Sequence, residues 1–197
     1  MEAAIRQKST QVEFPVADLI SQRKSVRAFS SQPVEPSKIK SLFEATRWAP
    51  SSTNEQPWMY MYVTPDQPEL WSKMFDCLND GNKVWAKHAP LLILSLARKN
   101  FSRADVPNAY ALYDLGGANA LLSVQAVAMG LQVRQMAGFN HAKARDVLNI
   151  PDGYETGVFM AIGYPGDPEI LPEQLRQREL APRERYLQQE FVRNETF

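Results

Sequence analysis

The sequence has 197 residues, 44% of them hydrophobic, with 22 Lys plus Arg balanced by 22 Asp plus Glu. That length suits one domain with a core of its own, so we read 1–197 as a single unit. The charge balance excludes the broad basic footprint of a nucleic-acid or membrane-surface binder, and Cys77 as the lone cysteine excludes an intrachain disulfide.

Residues Met1–Phe14 lack the apolar stretch of a secretory signal, which with the single cysteine points to the cytoplasm. Pro15–Gln22 reads as a short helix. A second helix starts at Pro36, a residue suited to a first turn, sets Ile39, Leu42, Phe43 and Thr46 on one face, and stops before Pro50. The polar, turn-rich segment from Ala49 to Pro57 leads into a strand, Trp58–Thr64. Trp71, Met74, Phe75 and Leu78 repeat at helical spacing, and this helix is expected to end at an Asn79–Asn82 turn.

Pro90–Ala97 is a continuous apolar run of strand length, as for a strand covered on both faces. Asn108–Gly130 is the least polar stretch. Asp114, Gly116, Gly117, Asn119, Ser123 and Gln125 interrupt it, so it reads as a buried core helix and not as a membrane span, closed by Gly130. Leu131–Met136 and Thr156–Tyr164 read as strands, with Asn140 capping a helix, His141–Leu148, between them. After Pro165 a charged, proline-punctuated tail runs to residue 197 with no apolar core of its own, as for a segment laid across another surface or left disordered. Strands separated by helices indicate an α/β or α+β sandwich.

G-x-G-x-x-G, Walker, H-E-x-x-H and G-x-S-x-G motifs are all absent. His88 and His141 stand far apart and read as structural or surface residues, and Cys77 as an unremarkable thiol. Two segments carry chemistry. Arg23-Lys24-Ser25-Val26-Arg27 groups three cations and a hydroxyl, which suits a phosphate dianion, although a solvated basic turn has the same composition. The loop Pro50–Pro57, with Ser51, Ser52 and Asn54, offers hydrogen bonds to the edge of a polar heterocycle, or serves as a plain connector.

In their spacing these segments resemble the nitroreductase family. The family's R-[RK]-S-x-R-x-F pattern stands here as Arg23 to Phe29, and Ala49 to Trp58 follows after a helix. Gly81-Asn82-Lys83-Val84-Trp85-Ala86, the helix start Tyr110–Gly116, Gly130–Phe139, Ile162–Pro165 and Leu180–Arg185 complete an ordered set over nearly the whole chain. The tail departs from the family pattern: Tyr186-Leu187-Gln188 stands where a basic residue and Pro-Leu are common.

The resemblance implies an α+β fold, a three-layer α/β/α sandwich on a central mixed sheet. It also implies a homodimer with shared active sites, whose tail, 165–197, packs on the partner protomer. It implies an FMN site in which Arg23 grips the phosphate or ribityl end with Ser25 donating beside it, Lys24 is a further binding residue, Arg27 lies near the N1/O2 edge, and Arg183 and Arg185 complete the phosphate clamp. Asn82 would face the pyrimidine edge, and the backbone of Ala137 and Gly138 would approach N5/O4 with Gln135 and Met136 beside the ring. Pro50, Ser51, Ser52 and Asn54 would enter from the other protomer. No side chain is expected to be catalytic, because N5 of FMN carries the chemistry.

The implied activity is electron transfer from NAD(P)H to a small-molecule acceptor such as a nitroaromatic or quinone, by a ping-pong mechanism. Phe101, Tyr110 and Tyr113 are candidates for the acceptor pocket or for helix packing. The fold class also hosts reductive dehalogenation, dehydrogenation and flavin fragmentation, and non-catalytic flavin binding or a cofactor-free structural dimer are the remaining alternatives.

Overall fold

The computed structural model describes residues 7–196. Residues 1–6, part of the segment read as lacking a secretory signal, lie outside the described residues. In chain order the elements are β1 (Lys8–Ser9), α1 (Asp18–Gln22), α2 (Pro36–Arg47), β2 (Trp58–Val63), α3 (Pro68–Asp76), α4 (Asp80–Ala86), β3 (Leu91–Arg98), α5 (Ala111–Ala128), β4 (Gln132–Met136), α6 (His141–Val147), β5 (Tyr154–Gly163), α7 (Glu173–Leu180) and β6 (Arg185–Tyr186).

Four strands form the main sheet in the order β2-β3-β5-β4. Side-chain alternation along the two central strands builds one core on each face. Leu92, Leu94 and Leu96 of β3 join Phe159 and Ala161 of β5 beneath α3, α4 and α6, around Met74, Trp85 and Ala144. Leu91, Ile93, Met160 and Ile162 point the other way, to Ile39 and Leu42 of α2 and Leu122 and Ala126 of α5. This is the three-layer α/β/α sandwich of an α+β domain.

The sheet itself differs from the expected mixed one. Each of its pairings, β2 with β3, β3 with β5 and β5 with β4, is antiparallel. β3 and β4 do run parallel, joined by α5 as a crossover, but β5 folds back between them and converts two parallel neighbours into antiparallel pairs. A bulge in β5 at Gly157–Val158 shifts its register against β3. Ser95 of β3 satisfies that bulge, accepting from Val158 N at 3.0 Å and donating to Val158 O at 3.0 Å.

Several local signals act as expected: Pro36 opens α2, Gly130 closes α5 at φ +77°, and the Asn140 side chain accepts from Lys143 N to cap α6. At Asn79 the outcome differs, because a second helix, α4, begins where a turn was expected. The Asn79 side chain accepts from Asn82 N at 3.0 Å. Asparagine favours turns and N-caps for the same reason, a short acceptor beside the backbone.

The tail is also more structured than its composition indicates. Leu171 enters the core, α7 follows, and β6 pairs with β1. In the single chain it lies over its own residues 21–28: Glu179 accepts from Arg27 and Ala28, and Arg183 donates to the carbonyls of Ser21 and Arg23. Cys77 is buried and donates to Lys73 O, and burial raises its pKa.

Candidate functional site

The segment after α1 reaches a strand-like bridge only at Phe29, opposite Pro165, where Ala28 O accepts from Gly166 N at 2.9 Å; before that, side chains from elsewhere hold its backbone in place. Gln132 of β4 accepts from Lys24 N at 2.8 Å, and Arg134 of the same strand donates to Ser25 O at 2.5 Å. From the tail, Arg183 donates to Arg23 O, and Glu179 accepts from the amides of Arg27, at 2.7 Å, and Ala28, at 3.3 Å.

This framing gathers cations. Arg23 donates to Ser25 Oγ at 3.2 Å, and β6, paired with β1, brings Arg185 nearby. Burial first, and then the positive charges of Arg183 and Arg185, pull the Arg23 guanidinium below its usual pKa. Lys24 extends its side chain to solvent. On the inner side, Arg27 contacts Glu179 at 3.5 Å, and Arg134 lies 5.3 Å from the centre of the Trp85 ring. Arg134 is pushed down to about 10 by burial and by Arg27, with Glu179 opposing the shift.

A second group forms where the chain leaves β4. Gly138 O accepts from Asn82 Nδ2 at 2.9 Å and from Asn79 N at 3.2 Å. A Cβ at Gly138 would fall on the Asn79 amide, so only glycine allows this approach. Ala137 is exposed beside it. The expectation for Gln135 and Met136 needs refinement, because neighbouring strand residues face opposite ways. Met136 is buried in the core and offers only backbone, whereas Gln135 donates to Ser123 Oγ on α5 at 3.4 Å.

The Pro50–Asn54 loop does not join these groups within the chain. Ser52 N donates to Asp114 Oδ2 at 3.0 Å, Ser51 Oγ accepts from Gln56 N at 2.9 Å, and Asn54 accepts from the Gln56 amide. Thr53, Asn54 and Gln56 all adopt positive φ, and Glu55 secures the turn by accepting from Ser102 N at 2.7 Å. The loop leads into Trp58, which pairs with Ala97 at one corner of the sheet, while Gln132 pairs with Gly163 at the diagonal corner. Three strand spacings across and about eight residues along separate these corners by on the order of 30 Å.

Tyr110 and Tyr113 are exposed and pack against no core in the protomer, with Tyr113 at 82%. A cavity of about 1280 Å³ lies on the β2 side of the sheet, lined by Phe29, Phe43, Tyr62, Pro90 and Pro165, and touches none of the expected site residues. Among the described residues no cluster of His, Cys, Asp and Glu could hold a metal, and no helix is long and apolar enough to cross a membrane. His141 bonds Thr156 Oγ1 at 2.6 Å and packs against the Phe139 ring at a tilt of 34°.

Sequence reasoning missed Gln132, Arg134 and Glu179. Arg134 was a readable signal, as a cation between two glutamines in the short strand β4. Glu179 had none, being one acid among many in a charged tail.

The comparisons with known proteins agree with this architecture. The Nitroreductase family model matches residues 20–83 and 72–164. A solved structure described as an oxidoreductase containing FMN is 33% identical, covers 95% of each chain and superposes with a TM-score of 0.90. A structure from Parabacteroides distasonis, provisionally named an NADH dehydrogenase/NAD(P)H nitroreductase, is 25% identical over 91% of this chain and 97% of its own, with a TM-score of 0.70. A Rhodopseudomonas palustris protein with the same provisional name is 27% identical over 78% of this chain and 86% of its own. With the family model spanning most of the sequence and the fold matched over nearly all of it, the chain belongs to the nitroreductase family.

Proposed function

We propose that the protein is an FMN-dependent oxidoreductase, working as a cytoplasmic homodimer, that passes electrons from NAD(P)H to electron-poor acceptors such as nitroaromatics or quinones by a ping-pong mechanism. The observation that carries this reading is the grouping of Arg23, Arg183 and Arg185 beside Ser25, with Arg23 feeling the two neighbouring positive charges. Like charges held together by a framed backbone suit a phosphate dianion, which accepts several charge-assisted hydrogen bonds at once. The FMN named for the structural relative, and the NADH and NAD(P)H named for others, are consistent with such a ligand and donor.

When bound, FMN would supply the electron transfer, with N5 as its reacting atom. The chain's own part is binding and orientation. Arg23, Arg183, Arg185 and Ser25 would hold the phosphate end, with Lys24 adding positive charge outside them. Arg27 and Arg134 place positive charge at the inner end, where it favours the more negative, reduced cofactor. Gly138, fixed by Asn79 and Asn82, with exposed Ala137 beside it, presents backbone where a planar ring could approach.

Dimerisation brings the remaining residues into reach. α5 contacts the Pro50–Asn54 loop near its start, through Asp114, and ends just before Gln132 in the Arg23 region. Its 18 residues span about 27 Å, close to the separation of the two half-sites. Its outer face carries Leu112, Tyr113, Gly116, Gly117 and Leu121. A Cβ at Gly116 or Gly117 would meet nothing within 4 Å, so the packing of the chain itself gives these glycines no role. Two α5 helices antiparallel about a two-fold axis would set each Pro50–Asn54 loop against the partner's Arg23 segment. The exposed Leu180, Phe191 and Val192 give the tail an apolar edge to lay on that partner.

The test is the absorption spectrum of the purified protein with supplied FMN, before and after anaerobic NAD(P)H. We expect about one bound flavin per chain, bleached by the donor, and parallel double-reciprocal plots with a nitroaromatic or quinone. Bound flavin that NAD(P)H fails to bleach would leave a binding protein, and absence of uptake would overturn the reading.

A further inference from the structure

Glu179 occupies an unusual position for a surface-helix acid. It stands near the end of α7, yet its side chain is about nine-tenths buried. One carboxylate oxygen accepts from the amides of Arg27 and Ala28, and the other faces the Arg27 guanidinium at 3.5 Å. A single carboxylate thus fixes two consecutive amides and one cation of the same segment. Two arginines meet at this point. Arg134 feels the positive charge of Arg27, and Glu179 is the acid that opposes it. Three formal charges therefore leave a net charge of about +1 in a partly buried space, where each is screened less than in water.

We propose that Glu179 is a positioning residue of the cofactor site, holding the Arg27–Ala28 backbone in place while offsetting part of the positive charge of Arg27 and Arg134. The two roles separate by chemistry. Glutamine at 179 keeps an oxygen acceptor for the amides of Arg27 and Ala28 but removes the charge. Alanine removes both and leaves two amides without their partner. The charge role rests on the FMN reading above, because reduction adds negative charge to a flavin and a more positive surrounding favours the reduced form. The backbone role stands on the protein alone.

The experiment compares the parent, Glu179→Gln and Glu179→Ala by amide hydrogen exchange without flavin, by FMN titration, and by the midpoint potential of the FMN-loaded protein. In Glu179→Gln we expect parent-like exchange at Arg27 and Ala28 and a midpoint potential shifted to more positive values. In Glu179→Ala we expect faster exchange at those two amides and weaker FMN binding.

A parent-like potential in Glu179→Gln overturns the charge role. Parent-like exchange and FMN affinity in Glu179→Ala overturn the backbone role. If Glu179→Ala does not fold, exchange in Glu179→Gln still decides the backbone role, since loss of protection there would show that an oxygen acceptor alone does not hold the amides. If the parent itself takes up no FMN, the cofactor reading fails and the charge role falls with it, while the exchange comparison still judges the backbone role.

Discussion

Arg23 makes its contacts at two levels. Its carbonyl accepts from Arg183, its guanidinium donates to Ser25, and the charges around it are those of Arg183 and Arg185. Truncating the side chain leaves the carbonyl contact intact and removes one proposed phosphate donor. Arg23→Ala should therefore weaken FMN binding by about 1.5–3 kcal/mol, the range for hydrogen bonds to charged groups, with little loss of thermal stability. Fluorescence titration of the refolded or apo protein with FMN measures this, and parent-like affinity would remove Arg23 from the phosphate site. Arg27 sits differently, since its guanidinium shares Glu179 with two backbone amides. Composition alone groups the cations of the Arg23–Arg27 motif and the resemblance separates Arg23 from Arg27; in the fold Arg23 stands in the outer cluster and Arg27 in a partly buried pair with Glu179.

Among the elements, α4 depends on its first turn. Asn79 caps it, Asn82 reaches back to Gly138 O, and Asn79 N donates to the same carbonyl. The strand exit after β4 and the start of α4 are thereby one unit, reinforced by the bridge between Leu78 and Phe139. A Cβ at Gly138 would displace Asn79 from its cap and crowd Asn82. Gly138→Ala should lower stability by about 1–2 kcal/mol, within the usual cost of losing a cap, and also weaken FMN binding. Denaturant unfolding and flavin titration check the two effects. Unchanged stability would mean that the loop moves away freely, contrary to this geometry. The same helix shows how an element escapes a sequence reading: Asn79-Asp-Gly-Asn82 satisfies turn chemistry and capping chemistry equally, and only the docking of Gly138 selects the helix.

At the scale of the whole molecule, the two halves of the expected site lie at diagonal corners of one sheet, bridged by α5. A shared site makes a specific demand on mixed dimers. If Arg23→Ala and Asn54→Ala each inactivate the homodimer, a heterodimer of the two variants has one site with both defects and one with neither. We expect it to recover roughly half of the parent's activity, again by two-fold symmetry. Co-expression with two tags, sequential purification and assay of NAD(P)H oxidation test this. An intact but inactive mixed dimer would place both residues in one chain's site.

Short-range chemistry was legible without the fold. Proline at 36, asparagine at 140 and glycine at 130 act through their own backbone neighbourhoods, and the apolar run after Pro90 forms the strand expected of it. The Arg23–Arg27 motif was visible because its cations are adjacent in the chain. The order of the sheet was not, since inserting β5 between β3 and β4 depends on pairing energies between strands far apart in sequence. Nor was the placement of Arg134 and Glu179, which stand more than a hundred residues beyond the backbone they hold. The sequence by itself determined most of the helices and strands between residues 15 and 164 and the adjacency of the cations from Arg23 to Arg27, because periodicity, capping and local charge are properties of neighbouring residues. The tertiary structure decided which cations share a space, which acid offsets them and which half of the site lies out of reach, because those follow from distances that the chain acquires only when it folds.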